Sequence, residues 1–150
     1  MQDSVTVFNG AHVATTVSAD DINYVKSLGA AEVIDYRNRK FEEVVGDLDA
    51  VFDTVGGDTY LRSFKVLKRG GRLISMLEQP RQELMEAFGV EASVLFTQVT
   101  TERLTKLVEL VDKGALKVHV DKTFPLEQAG ATLHHLEKES PRGKVVLNIV

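Results

Sequence analysis

"LDAVFDTVGGDTYLRSFKVLKRGGRLISML", residues 48–77, decides the fold. Its first eight residues form a mostly apolar run that halts at Gly56-Gly57, and its last six form another that opens after Gly70-Gly71. Between them Leu61, Phe64 and Leu67 recur every third position, which predicts a helix with those side chains inward. Strand, helix, strand in so short a space is a βαβ unit, whose right-handed crossover makes the two strands parallel neighbours. Gly56-Gly57 reads first as a tight turn before an Asp58 helix cap, and second as a place where backbone can approach a ligand.

The same alternation extends on both sides. N-terminally, "AHVATT" (11–16) reads as a strand covered on both faces. Ser18 then caps a helix with Asp20 and Asp21 in its first turn, where the helix dipole favours acids. Ile22, Val25 and Leu28 make the buried stripe of that helix, and Gly29 supplies a left-handed end. "EVIDY" (32–36) is the next strand and "KFEEVVG" (40–46) a short helix. C-terminally, a helix at 81–89 leads to a strand at 91–99. The helix at 101–114 carries Leu104, Leu107, Val108 and Val111 on one face. "LKVHV" (116–120), a helix at 126–139 and a strand from 143 to the end form a short β-α-β tail over about 115–150. This order predicts an α/β, Rossmann-like, doubly wound and mostly parallel sheet, in a single domain spanning 1–150.

Composition narrows the function classes. With 22 acidic and 18 basic residues the net charge is −4, which speaks against nucleic acid or an anionic membrane as partner. The chain has no cysteine, so disulfides and thiolate zinc sites are excluded, and a reducing, cytoplasmic setting is expected. No apolar run approaches the ~20 residues of a membrane-spanning helix.

Open α/β sheets bind ligands beyond the carboxyl ends of their strands. That rule singles out residues 15–18, 36–39, 54–57, 76–79 and 96–99. An NAD site usually places an acid at the end of the second strand, for the ribose 2′-hydroxyl. Here Thr15, Thr16 and Ser18 stand there instead, and Arg37 and Arg39 follow the neighbouring strand. That set favours a 2′-phosphate, hence NADP over NAD, alongside the simpler reading of Ser18 as a cap. His134 and His135 read as partly exposed residues rather than metal ligands, since no third ligand follows at useful spacing. His12 and His119 have no evident partner, and no nucleophile–base–acid set emerges, so no catalytic residue is assigned.

Three stretches, residues 13–38, 48–76 and 114–150, resemble the medium-chain dehydrogenase/reductase superfamily, in particular its zinc-independent quinone oxidoreductase branch. The resemblance covers about residues 8–150. It implies the cofactor-binding part of an NADPH-dependent two-domain oxidoreductase, quinone or enone reductase-like, using NADP(H) and no zinc. Carried over by position, Thr16 and Ser18 match residues near the 2′-phosphate, and Tyr36 a residue packing near the adenosine. Val55 and Gly56 match the loop beside the nicotinamide ribose, and Met76 and Leu77 the loop after the next strand. Phe96 matches a residue whose backbone faces the carboxamide, and Gly143 and Lys144 a Gly-Lys bordering the cofactor.

The sequence departs from that pattern at its start. No G-x-G-x-x-G occurs, and the first strand, the glycine-rich loop and the N-terminal catalytic domain have no counterpart. By descent Asn9-Gly10 ends a helix; by local chemistry it is a type I′ hairpin turn between "SVTVF" and "AHVATT". The hairpin would lay residues 4–8 as an antiparallel strand in the vacated slot of strand one. Failing that, a second copy would supply the strand, a homodimer through an exposed strand edge. Without the loop, two or three charge-assisted N–H bonds to the pyrophosphate are lost, each worth roughly 1.5–3 kcal/mol. A loss of about 4–6 kcal/mol weakens a micromolar site to a millimolar one, and activity as an isolated monomer is not expected. The alternatives are a non-catalytic nucleotide-binding or self-associating module and, more distantly, a class I methyltransferase, which "FDTVGG…LKRGGRLI" also resembles.

Overall fold

The computed structural model describes residues 10–139 and 141–149. The residue 4–8 hairpin lies outside them. Four strands occupy the first half: β1 (Ala14–Val17), β2 (Glu32–Asp35), β3 (Leu48–Asp53) and β4 (Leu67–Ser75). β5 (Glu91–Val94), β6 (Val120–Pro125) and β7 (Lys144–Asn148) follow. The helices are α1 (Ile22–Ser27), α2 (Gly57–Ser63), α3 (Gln82–Phe88), α4 (Thr101–Asp112) and α5 (Ala129–Lys138). Every strand pairing among the described residues is parallel. The orders are β1-β2, β3-β4-β5 and β6-β7. The first two match the 3-2 and 4-5-6 portions of the 3-2-1-4-5-6 order. Among the described residues, nothing is hydrogen-bonded between β1 and β3.

The core sits on the β3-β4-β5 flank, where Tyr60, Phe64, Leu67, Leu73 and Val90 form one buried cluster. Tyr60 and Phe64 meet edge-on at 5.2 Å, and Phe64 also packs on Phe88. Each large side chain so buried contributes about 1.5–3 kcal/mol. Leu61 is exposed, and Leu67 belongs to β4 rather than to the helix, because α2 tightens into a 3-10 turn over Phe64–Val66. The inner face of α2 is therefore Tyr60 and Ser63. Gly70-Gly71 does not separate helix from strand but forms an irregularity inside β4, between the Leu48↔Leu67 and Ala50↔Arg72 pairs. A Cβ on Gly71 would stand 2.8 Å from the Lys68 carbonyl oxygen, so only glycine fits at this irregularity.

Several other elements are shorter or displaced. Residues 40–46 form a single 3-10 turn, Phe41–Glu43. The strand expected at 91–99 ends at Val94, leaving Phe96 beyond it. The strand expected at 116–120 lies instead at Val120–Pro125, fixed by its pairing with β7. No helix among the described residues is long and apolar enough to cross a membrane.

The β6-α5-β7 unit is tied to the first flank by Arg142. Its Nε lies 2.7 Å from Asp21 Oδ1, its Nη2 donates to the Asp20 carbonyl at 2.9 Å, and its guanidinium covers the Tyr24 ring at 5.1 Å. His119 meets the same ring edge-on.

Candidate functional site

Parallel register brings the strand ends singled out by sequence into two groups. In the first, Val17 is paired with Asp35, and the Tyr36 N–H donates to the Val17 carbonyl at 3.1 Å. Thr16 and Ser18 thus stand next to Tyr36 and Arg37. Tyr36 is exposed, and the Arg37 guanidinium lies 5.9 Å from its ring centre. A hydrogen bond with Tyr36 raises the Arg37 pKa above its ordinary value. Asp35 shapes the loop: its carboxylate accepts from the Arg37 N–H at 3.1 Å and from Asn38 Nδ2 at 2.6 Å.

Ser18 occupies the N-cap position with extended backbone, but its hydroxyl does not cap. It donates instead to Asp21 Oδ2 at 3.2 Å, because the segment begins as a 3-10 turn before α1. Arg142 meets the other oxygen of the same carboxylate.

The second group lies at the ends of β3, β4 and β5. Asp53, Ser75 and Val94 are linked by register, the Met76 N–H donates to the Asp53 carbonyl, and the Leu95 N–H donates to the Ser75 carbonyl. Gly56 adopts φ 74° and ψ −166°, a conformation essentially restricted to glycine. A Cβ there would stand 3.3 Å from Leu77 and 3.2 Å from the Glu78 carboxylate. Gly56 therefore serves as the N-cap of α2, and Asp58 lies inside the first turn, paired with Arg62 at 2.8 Å. Val55, Met76, Leu77 and Phe96 are exposed, Phe96 by 71%. The Tyr60 hydroxyl donates to the Gln79 carbonyl at 3.3 Å, tying the second loop to the core.

Gly143 and Lys144 join neither group. They meet His119: the Lys144 N–H donates to its carbonyl at 2.8 Å, and a Cβ on Gly143 would fall 2.1 Å from the same oxygen. Through the neighbouring Arg142 they stand beside the start of α1.

His12 and His135 differ from their sequence reading, whereas His134 is exposed. His12 does have a partner, Glu32 Oε1 at 2.8 Å. His135 is buried, with Nε2 on Asp121 Oδ2 at 2.8 Å and Nδ1 3.0 Å from Glu139 Oε2. That contact with His135 holds the Asp121 carboxyl below its usual range. Exposed Leu133 and Leu136 show that α5 turns Thr132 and His135 inward, not its leucines.

Sequence reasoning missed Asp35, Asp53 and Ser75, which organise the loops without lining them. The signal was present: "VID" and "VFD" each end an apolar strand with an aspartate, the residue whose carboxylate folds back on the next amides.

A family model described as zinc-binding dehydrogenase matches residues 28–147. The chain is 31% identical to the mitochondrial NAD(P)H oxidoreductase RTN4IP1 of Mus musculus, over 94% of this chain and 42% of that protein. Among solved structures, a quinone oxidoreductase from Coxiella burnetii superimposes with TM-score 0.82 at 30% identity, covering 94% of this chain and 46% of that one. The quinone oxidoreductase of Escherichia coli, solved in complex with NADPH, gives TM-score 0.81 at 26% identity, covering 93% and 50%. The chain thus spans about half the length of these relatives or less. The family's name points to zinc, which the donor set does not fit. The sequence has no cysteine, and no three His, Asp or Glu side chains among the described residues are grouped to hold a metal ion. On sequence and architecture together, the chain belongs to the zinc-binding dehydrogenases of the medium-chain dehydrogenase/reductase superfamily and corresponds to their C-terminal portion.

Proposed function

We propose that this chain is the NADP(H)-binding part of an oxidoreductase that reduces a quinone or enone, and that substrate chemistry requires a further domain. The observation carrying this reading is the loop pair after β3 and β4. Gly56 holds a glycine-only conformation against Leu77, leaving backbone and the apolar Val55, Met76 and Leu77 exposed at the carboxyl end of the sheet. There the nicotinamide end would rest, with Phe96 beyond β5. At the other end, Tyr36 and the Arg37 guanidinium stand beside Thr16 and Ser18, a set suited to adenosine and a 2′-phosphate. When bound, the cofactor supplies the hydride. These residues bind and orient it. Gly143 and Lys144 shape the adjoining tail and contribute indirectly.

Titration of the 150-residue chain with NADPH and NADH, followed through amide shifts, tests the reading. Saturation in the millimolar range is expected, with shifts at Thr16, Ser18, Tyr36 and Arg37 stronger for NADPH than for NADH. Equal response to both nucleotides, or none at these residues, would overturn it. A self-associating module is the second reading, favoured by the exposed Leu104, Leu107, Val108 and Val111 stripe of α4 and by edges of β1 and β3 that have no strand partner among the described residues. Sedimentation across concentration separates the two.

A further inference from the structure

The two loops proposed to face the nicotinamide hang from one buried pair. Asp53, the last residue of β3, is 3% exposed, and Ser75, the last of β4, is fully buried. Asp53 Oδ1 accepts the N–H groups of Val55 at 3.1 Å and Gly56 at 3.0 Å. Its Oδ2 accepts the Ser75 hydroxyl at 2.7 Å. Ser75 Oγ in turn accepts the N–H groups of Leu77 at 3.1 Å and Glu78 at 3.0 Å. The loops also touch directly, since the Gly57 N–H donates to Glu78 Oε1 at 2.8 Å.

Donor chemistry fixes the direction of every bond. The four amides can only donate. Two of them use both acceptor sites of the Ser75 hydroxyl, whose single hydrogen must then go to Asp53. Asp53 accepts on all three contacts. We infer that Asp53 and Ser75 are positioning residues for the nicotinamide end of the proposed site, setting both loops from a single carboxylate. Neither side chain is exposed to a ligand, so their influence passes through Val55, Gly56 and Leu77. The role in cofactor binding rests on the function proposed above; the coupling of the loops does not.

Amide hydrogen exchange and NADPH titration by NMR on the 150-residue chain test this with Ser75→Ala, Ser75→Thr and Asp53→Asn. Ser75→Ala removes the acceptor of one loop, so exchange at Leu77 and Glu78 should rise at least tenfold, with a smaller rise at Val55 and Gly56. Ser75→Thr keeps the hydroxyl and should restore protection. Asp53→Asn turns a donor toward a hydroxyl already accepting two, so all four amides should exchange faster. If Asp53→Asn fails to fold, the Ser75→Ala and Ser75→Thr pair still decides. Unchanged exchange at the four amides, or an equal rise throughout β3, β4 and α2, would overturn the coupling. In the titration, Ser75→Ala should weaken NADPH response at Val55, Gly56 and Leu77 at least fivefold and Ser75→Thr should recover it. No wild-type response there, with the exchange pattern intact, would overturn the cofactor role and leave the coupling standing.

Discussion

Gly56 carries the most information of any single position. Its backbone lies in a region that costs other residues about 1–3 kcal/mol, and the space a Cβ needs is taken by Leu77 and Glu78. Gly56→Ala should therefore lower stability by about that amount in urea denaturation, without altering the denaturant slope. The sequence made this glycine visible as a turn; its close approach to Leu77 came only from the fold, because residues 21 apart are brought together by the βαβ crossover. Asp53 and Asp35 were legible in kind, as strand-ending aspartates, but their partners were not. Asp121 is a further case. The contact with His135 depresses its pKa, so its contribution to stability is present above the ordinary carboxylate range and lost as pH falls through the lowered value. Thermal melts of Asp121→Asn should fall below wild type at neutral pH, and the gap should close on acidification below pH 4.

At the scale of elements, periodicity identified helices better than it identified which face turns inward. α4 was legible as a helix, while its cap came from the fold: the Thr100 hydroxyl accepts from the Arg103 N–H at 3.3 Å, and Lys106 pairs with Glu102 one turn on. Thr100→Ala should cost about 1 kcal/mol locally, read as faster exchange at Arg103 and Leu104 with little change in the β3-β4-β5 core. In α5 the reading of His135 as partly exposed failed, because Asp121 gives the buried imidazole a polar partner that no spacing rule shows. β6 was misplaced for a related reason. "LKVHV" alternates as a strand should, yet pairing partners decide where a strand lies, and β7 selects Val120–Pro125. Gly143 sits at that junction with φ 95° and no room beside the His119 carbonyl. Gly143→Ala should cost about 3 kcal/mol and free β7 from β6, measured as lost exchange protection in both strands.

For the whole molecule, the doubly wound class was legible because alternating strands and helices leave few other solutions, whereas the pairing state of its middle was not. β4 has hydrogen-bonded neighbours on both sides, while β1 and β3 each have one among the described residues. Protection from exchange follows local opening, and strands paired on one side leave half their amides to solvent. Amides of β4 should therefore exchange slowest, at rates near those of global unfolding. In β1 and β3 an open edge toward the slot would make protection alternate, with every second amide exchanging orders of magnitude faster than its neighbours. Uniform protection there in a monomer would mean that a strand of this chain lies between them, as residues 4–8 would if Asn9-Gly10 makes its turn. Uniform protection that disappears on dilution would mean that a second copy provides the strand. Either result would also raise the expected cofactor affinity, since a filled slot holds β1 and β3, and with them the adenosine and nicotinamide ends of the proposed site, in fixed relation.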